Sequence, residues 1–101
     1  MAMLNFGTLP PKTAAEKKDY SFNWADELDK DGDTISTSAW SIGAGVTINT
    51  TDHPATKDAK TTTVWLDPGS TPSADPYSLV NTIATVAGRT LVASALVKVV
   101  A

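Results

Sequence analysis

Cysteine is missing from this chain of 101 residues, which excludes a disulfide framework, a zinc knuckle and a thiol nucleophile. Positive charge is also scarce. Eight lysines and arginines, with Arg89 the single arginine, stand against eleven acidic residues, leaving a net charge of -3 and a pI near 4.8. Nucleic acid is therefore not an expected partner, because affinity for phosphate backbones comes mainly from clustered Lys and Arg. Long apolar runs are absent as well: no window reaches the roughly 18 residues of a membrane span. The opening MAMLNFGTLPPK has no basic stretch followed by an apolar one. The expectation is a soluble chain made in the cytoplasm, without Sec export and without a membrane partner.

What is present suits a small globular protein. A length of 101 residues is one domain's worth, and 42% apolar with 19% charged residues is a folding composition. Fifteen threonines, some in runs such as Thr61-Thr62-Thr63, favour strands, where β-branched side chains pack on the pleat. Fourteen alanines would favour helices by propensity. Most of them, however, sit beside Gly, Pro, Ser or Thr or within alternating patterns.

Residues 1–13 carry Gly7 and Pro10-Pro11 and show no core periodicity, which predicts an extended N-terminal arm ahead of a single domain over 14–101. Tyr20, Phe22 and Trp24 then alternate with Ser21 and Asn23, the clearest strand in the sequence. Residues 25–33 hold five carboxylates against one lysine and read as an exposed turn or a short helical turn. Further strands are predicted at about 34–42, 46–50 and 61–66, the last with Thr62, Val64 and Leu66 on one face. Residues 51–60 read as a surface connection and 67–76, with three prolines, as a long loop. The last third forms a hairpin. Tyr77, Leu79, Asn81 and Ile83 line one face of its first strand, Ala87-Gly88-Arg89 turns the chain, and the return strand over 90–100 is apolar on both faces. Such a strand is central or covered by a partner. Six short strands between turn signals indicate an all-β sandwich.

Candidate chemistry is thin. Asp29-Lys-Asp-Gly-Asp-Thr-Ile35 copies the opening of a calcium loop, yet position 6 is Thr34 rather than glycine and position 12 is Trp40 rather than glutamate. An acidic solvated turn is the expected reading, so no metal is assigned. His53 precedes a proline and has no nucleophile motif around it, and the loop carboxylates have no apolar pocket to separate their pKa values. No catalytic residue is assigned and no enzyme is expected. Trp24, Trp40 and Trp65 are many for this length, and exposed indoles stack on sugars. Trp24 belongs with the core, whereas Trp65 could face outward.

Asp-Tyr-Ser-Phe-Asn-Trp (19–24), Asp-Gly-Asp-Thr-Ile (31–35), Trp40, Thr-Thr-Thr-Val-Trp-Leu (61–66), Tyr77 and Asn-Thr-Ile-Ala-Thr-Val-Ala-Gly-Arg-Thr (81–90) form an ordered series. It resembles a family of small virion proteins of tailed bacteriophages, the fibre-tail adaptors, over about residues 19–100. The resemblance implies a small immunoglobulin-like sandwich at the tail or neck that helps attach fibres, with other virion proteins as partners, multiple symmetric copies, no catalytic residues and no cofactor. The chain departs from the family pattern in its longer, proline-rich 68–76 link and in the apolar Leu91, Val92 and Ala93 after Gly-Arg-Thr. The arm residues Leu4, Phe6 and Leu9, together with Leu91 and Val92 at the hairpin base, are the expected contact residues. A carbohydrate-binding sandwich module, for host-surface binding or capsid decoration, is the alternative. Exposed, unpartnered Trp40 and Trp65 would favour it.

Overall fold

The computed structural model describes residues 4–30 and 32–101, with the side chain of Leu4 outside what is described. The elements in chain order are β1 (Leu4–Thr8), β2 (Lys12–Thr13), β3 (Lys18–Asn23), α1 (Ala25–Asp29), β4 (Ile35–Ser41), β5 (Thr56–Lys57), β6 (Thr61–Leu66), β7 (Tyr77–Thr85), β8 (Thr90–Val97) and β9 (Val99–Val100). One sheet has the order β1-β8-β7-β4, the other β3-β6-β5, and β2 pairs with β9. Apart from β1 with β8 and β2 with β9, which run parallel, the pairs are antiparallel. The result is the all-β sandwich that the alternating patterns predict.

Alternation places the core between the two sheets. Tyr20 and Phe22 of β3, Trp24 just after it, and Val64 and Leu66 of β6 meet Leu79 and Ile83 of β7 and Ala93, Ala95 and Val97 of β8 in one buried cluster. Ala93 and Ala95 are small where the opposite layer contributes aromatic rings, so volume is balanced across the layers. That accounts for two of the fourteen alanines in a chain with little helix.

Connectivity follows the immunoglobulin plan, with β3, β6 and β5 in the places of strands B, E and D and β4, β7 and β8 in those of C, F and G. Tyr77, at the start of β7, donates its hydroxyl to the carbonyl of Thr71 at 2.7 Å, which is the tyrosine corner of such sandwiches. Gly45 lies against that ring. A Cβ there would sit 2.7 Å from the Tyr77 hydroxyl, and the residue's φ of +109° also favours glycine. Where immunoglobulin domains carry a disulfide between B and F, this chain uses amides and hydroxyls. Buried Asn81 on β7 accepts from Trp24 Nε1 at 3.0 Å and Thr62 Oγ1 at 2.7 Å, and donates to Ser38 Oγ at 2.9 Å and the Ala39 carbonyl at 3.0 Å.

Three sequence expectations need correction. The strand at 46–50 is reduced to one bridge, Ile48 to Leu66. Asn49 ends it by turning its buried side chain onto the amides of Thr51 and His53, both at 3.0 Å. The surface connection 51–60 contributes β5 at the edge of the smaller sheet. Third, the described part of the N-terminal segment does not hang free: β1 lies beside β8, Leu9 N–H donates to Leu96 C=O at 2.8 Å and Lys12 N–H to Lys98 C=O at 2.9 Å. Its alternating residues fit an edge of the chain's own sheet as well as they would fit a neighbour's.

Candidate interaction surfaces

Two segments of the ordered series, the Gly-Arg-Thr hairpin and the stretch around Asp33, meet at one end of the sandwich. Asp33, from the acidic stretch, is buried and accepts from the amides of Thr34 at 2.9 Å and Ala87 at 3.1 Å and from Arg89 Nη1 at 3.3 Å. The Thr85 hydroxyl first, then those two amides and the Arg89 charge, hold its carboxyl below the ordinary value of 3.8, against the opposing effect of burial. Gly88, at φ +94°, lets the hairpin reverse, and Val86 N–H donates to Thr34 C=O at 3.0 Å. The Gly-Arg-Thr hairpin and the Asp-Gly-Asp-Thr-Ile segment are thus two halves of one clamp.

Two further acidic residues of that stretch, Glu27 and Asp29, form ion pairs. Leu28 anchors α1 in the core, Asp29 forms an ion pair with Lys60, and Glu27 pairs with Lys30 at 3.2 Å. Asp31 lies outside the described residues. The carboxylates at positions 1 and 5 of the calcium-loop pattern, Asp29 and Asp33, therefore serve an ion pair and a backbone clamp.

Neither tryptophan proposed as a sugar platform is bare. Trp40 is half-buried, with its ring edge-on to Phe22 at a centroid distance of 4.8 Å, and its Nε1 is buried without an acceptor. Trp65 is half-buried on the outer side of β6, where the His53 imidazole stacks on it at 4.1 Å and 17°. Around it the outer side of the smaller sheet is polar, with Asp19, Ser21, Asn23, Thr61 and Thr63, and Ser21 bonds Thr63 at 2.8 Å.

The outer side of the larger sheet differs. Strands β4, β7 and β8 contain no Asp, Glu, Lys, Arg or His. Their outward residues include Val80, Ala84, Val92 and Leu96 among serines and threonines, and Leu96 is 41% exposed.

The five expected contact residues separate on this geometry. Phe6 is half-buried, its ring 4.9 Å from that of Phe22 and 5.3 Å from that of Trp24. Leu9 and Leu91 also pack against the core. Val92 lies on the outward, uncharged side of β8, and the Leu4 side chain is outside the described residues. Leu96, on the same second apolar face of the return strand, is an outward neighbour of Val92 that is not among the five expected contact residues. It also missed Lys12, placed in an arm. Lys12 is buried, donating Nζ to Thr13 C=O and to Ser70 Oγ, each at 3.0 Å. Burial lowers its pKa, against the charges of Glu16 and Asp67.

The sequence model of the family described as podophage GP4 fiber-tail adaptor protein gp77 matches residues 12–98. No curated protein matches the chain. Among solved structures, a 2,6-sialyltransferase from Photobacterium sp. JT-ISH-224, in a ternary complex with CMP and lactose, superposes with a TM-score of 0.43 at 11% identity. That superposition covers 99% of this chain and 18% of the enzyme's, and at this level it bears on neither chain's chemistry.

Proposed function

From its membership of the podophage GP4 fiber-tail adaptor family, to which the match over residues 12–98 assigns it, we propose that this chain is a structural virion protein helping to attach tail fibres at the tail or neck. That match is the observation that carries the reading. The architecture supports it: the loop end is clamped by Asp33, and a rigid uncharged face with Val92 and Leu96 outward is suited to burial against other virion proteins. In this reading the protein acts by shape and surface, in several copies per particle, and not by catalysis.

The test is genetic and visual. Phage lacking this protein should yield particles without fibres by negative-stain microscopy, and supplying the wild-type chain in trans should restore them. The variant Val92→Glu/Leu96→Glu places charge on the outward face and should fail to restore fibres while remaining folded. Normal fibres on particles that lack the protein would refute the proposal.

A further inference from the structure

Opposing forces act on residues 4–13. Phe6 sets its ring edge-on to Phe22 and Trp24, and Leu9 packs against the core, so apolar burial favours closure of the segment onto the sandwich. The backbone adds little to that. A bulge interrupts the ladder with β8 between Asn5 and Thr8, the Gly7 amide turns to Asn5 Oδ1 at 2.8 Å, and Pro10 and Pro11 have no amide to donate. Lys12 acts against closure. Its side chain is buried, yet the two acceptors of its ammonium, Thr13 C=O and Ser70 Oγ, are neutral. The carboxylates nearest in charge are spent elsewhere: Glu16 accepts from the Thr13 amide at 2.7 Å and Asp67 from Asn49 at 2.6 Å. Among the described residues no carboxylate lies at ion-pair distance from Lys12. Beside it Lys18 donates to Pro11 C=O at 3.2 Å and the Tyr20 hydroxyl to Pro10 C=O at 2.7 Å. Burying a charge against neutral partners alone is unfavourable, even where its aliphatic stem packs well.

We propose that residues 4–13 are a strap that opens as a unit from a sandwich that stays folded, and that the buried ammonium of Lys12 keeps it releasable. The body does not depend on the strap for its layers. Without it, β3 and β6 still close over β7 and β8 around Leu66, Leu79, Ile83 and Val97, and Asn81 keeps all four of its partners. Opening bares the edge of β8 and the ring edges of Phe22 and Trp24 that Phe6 covers. This proposal does not rest on the adaptor role.

Native-state amide exchange on the full chain reads the opening. The Leu9 amide, bonded to Leu96 C=O, should be at least about tenfold less protected than the amides of residues 79–83 on the central strand β7. Lys12→Met keeps the stem and removes the charge, and should slow exchange at Leu9 at least about tenfold, whereas Phe6→Ala should speed it. Thermal melts test the charge separately. Burial holds the Lys12 pKa below 10.5, so the unfolded chain binds more protons than the fold as pH rises toward that value, and the wild type gains stability there. The lead in thermal midpoint of Lys12→Met over the wild type should therefore shrink between about pH 8 and pH 10.5. A Leu9 amide as protected as those of 79–83, exchange unchanged or faster in Lys12→Met, or a lead that does not change with pH would each overturn the proposal.

Discussion

Asn81 uses both its carbonyl and its amide inside the sandwich, accepting from Trp24 and Thr62 while donating to Ser38 and Ala39. Replacing it by leucine keeps the branched shape and removes an acceptor from two buried donors. Asn81→Leu should therefore cost about 1–3 kcal/mol, read from the urea midpoint, and Thr62→Val on that background should cost less than on the wild type. Phe22→Ala should cost more, about 3–5 kcal/mol, because Phe6, Trp40 and the core all pack on that ring. An unmoved midpoint for Phe22→Ala would mean that β3 faces the wrong way. Asp33 gives a pH dependence. Its carboxyl is held below 3.8 in the fold, so the unfolded chain binds protons first on acidification. Its stabilisation is present above about pH 4 and is lost as pH falls through the folded-state value. Asp33→Asn should flatten that acid limb in a series of thermal melts, whereas an identical limb would rule out the clamp as its cause. The inward side of Asn81 was legible in its alternation with Leu79 and Ile83. Its partners were not, since Trp24 and Ser38 are brought to it only by the folded layers. Asp33 was read as one of five solvated carboxylates for the same reason: nothing local marks Arg89 as its counterpart.

Among the elements, the strands with strict period-two patterns were legible and the irregular ones were not. Residues 61–66 and the 77–90 hairpin follow their alternation, with Thr62, Val64 and Leu66 turned inward. The 46–50 stretch alternates as well, but Asn49 spends its side chain on a turn and leaves one bridge. At the N-terminus Pro10-Pro11 and Gly7 hide a strand whose partner, β8, is about ninety residues away. If β1 is part of the fold, truncating residues 1–13 should lower the thermal midpoint by several degrees, through loss of Phe6, Leu9 and buried Lys12 from the body of the sandwich. Phe6→Ala alone should cost about 1–2 kcal/mol, less than a fully buried ring because Phe6 is half-buried. A truncated chain that melts with the wild type would show that the segment adds nothing to the stability of the sandwich.

The whole molecule is a cysteine-free sandwich with two unlike outer sides. One outer side is polar and carries the His53–Trp65 stack, while the other carries no charge on its three antiparallel strands and directs Val92 and Leu96 outward. That asymmetry suits a protein held between others in a particle. Fold class was readable from composition and periodicity, and the family from ordered short segments spread over most of the chain. Which residues face outward was only half readable, because a residue's inward or outward direction depends on which strand covers it. Cross-linking mass spectrometry of intact, purified particles tests the central claim most directly. The account expects the chain among the virion proteins, with its lysines cross-linked to tail or fibre proteins; its absence from purified particles, with recovery only from the soluble lysate, would contradict it.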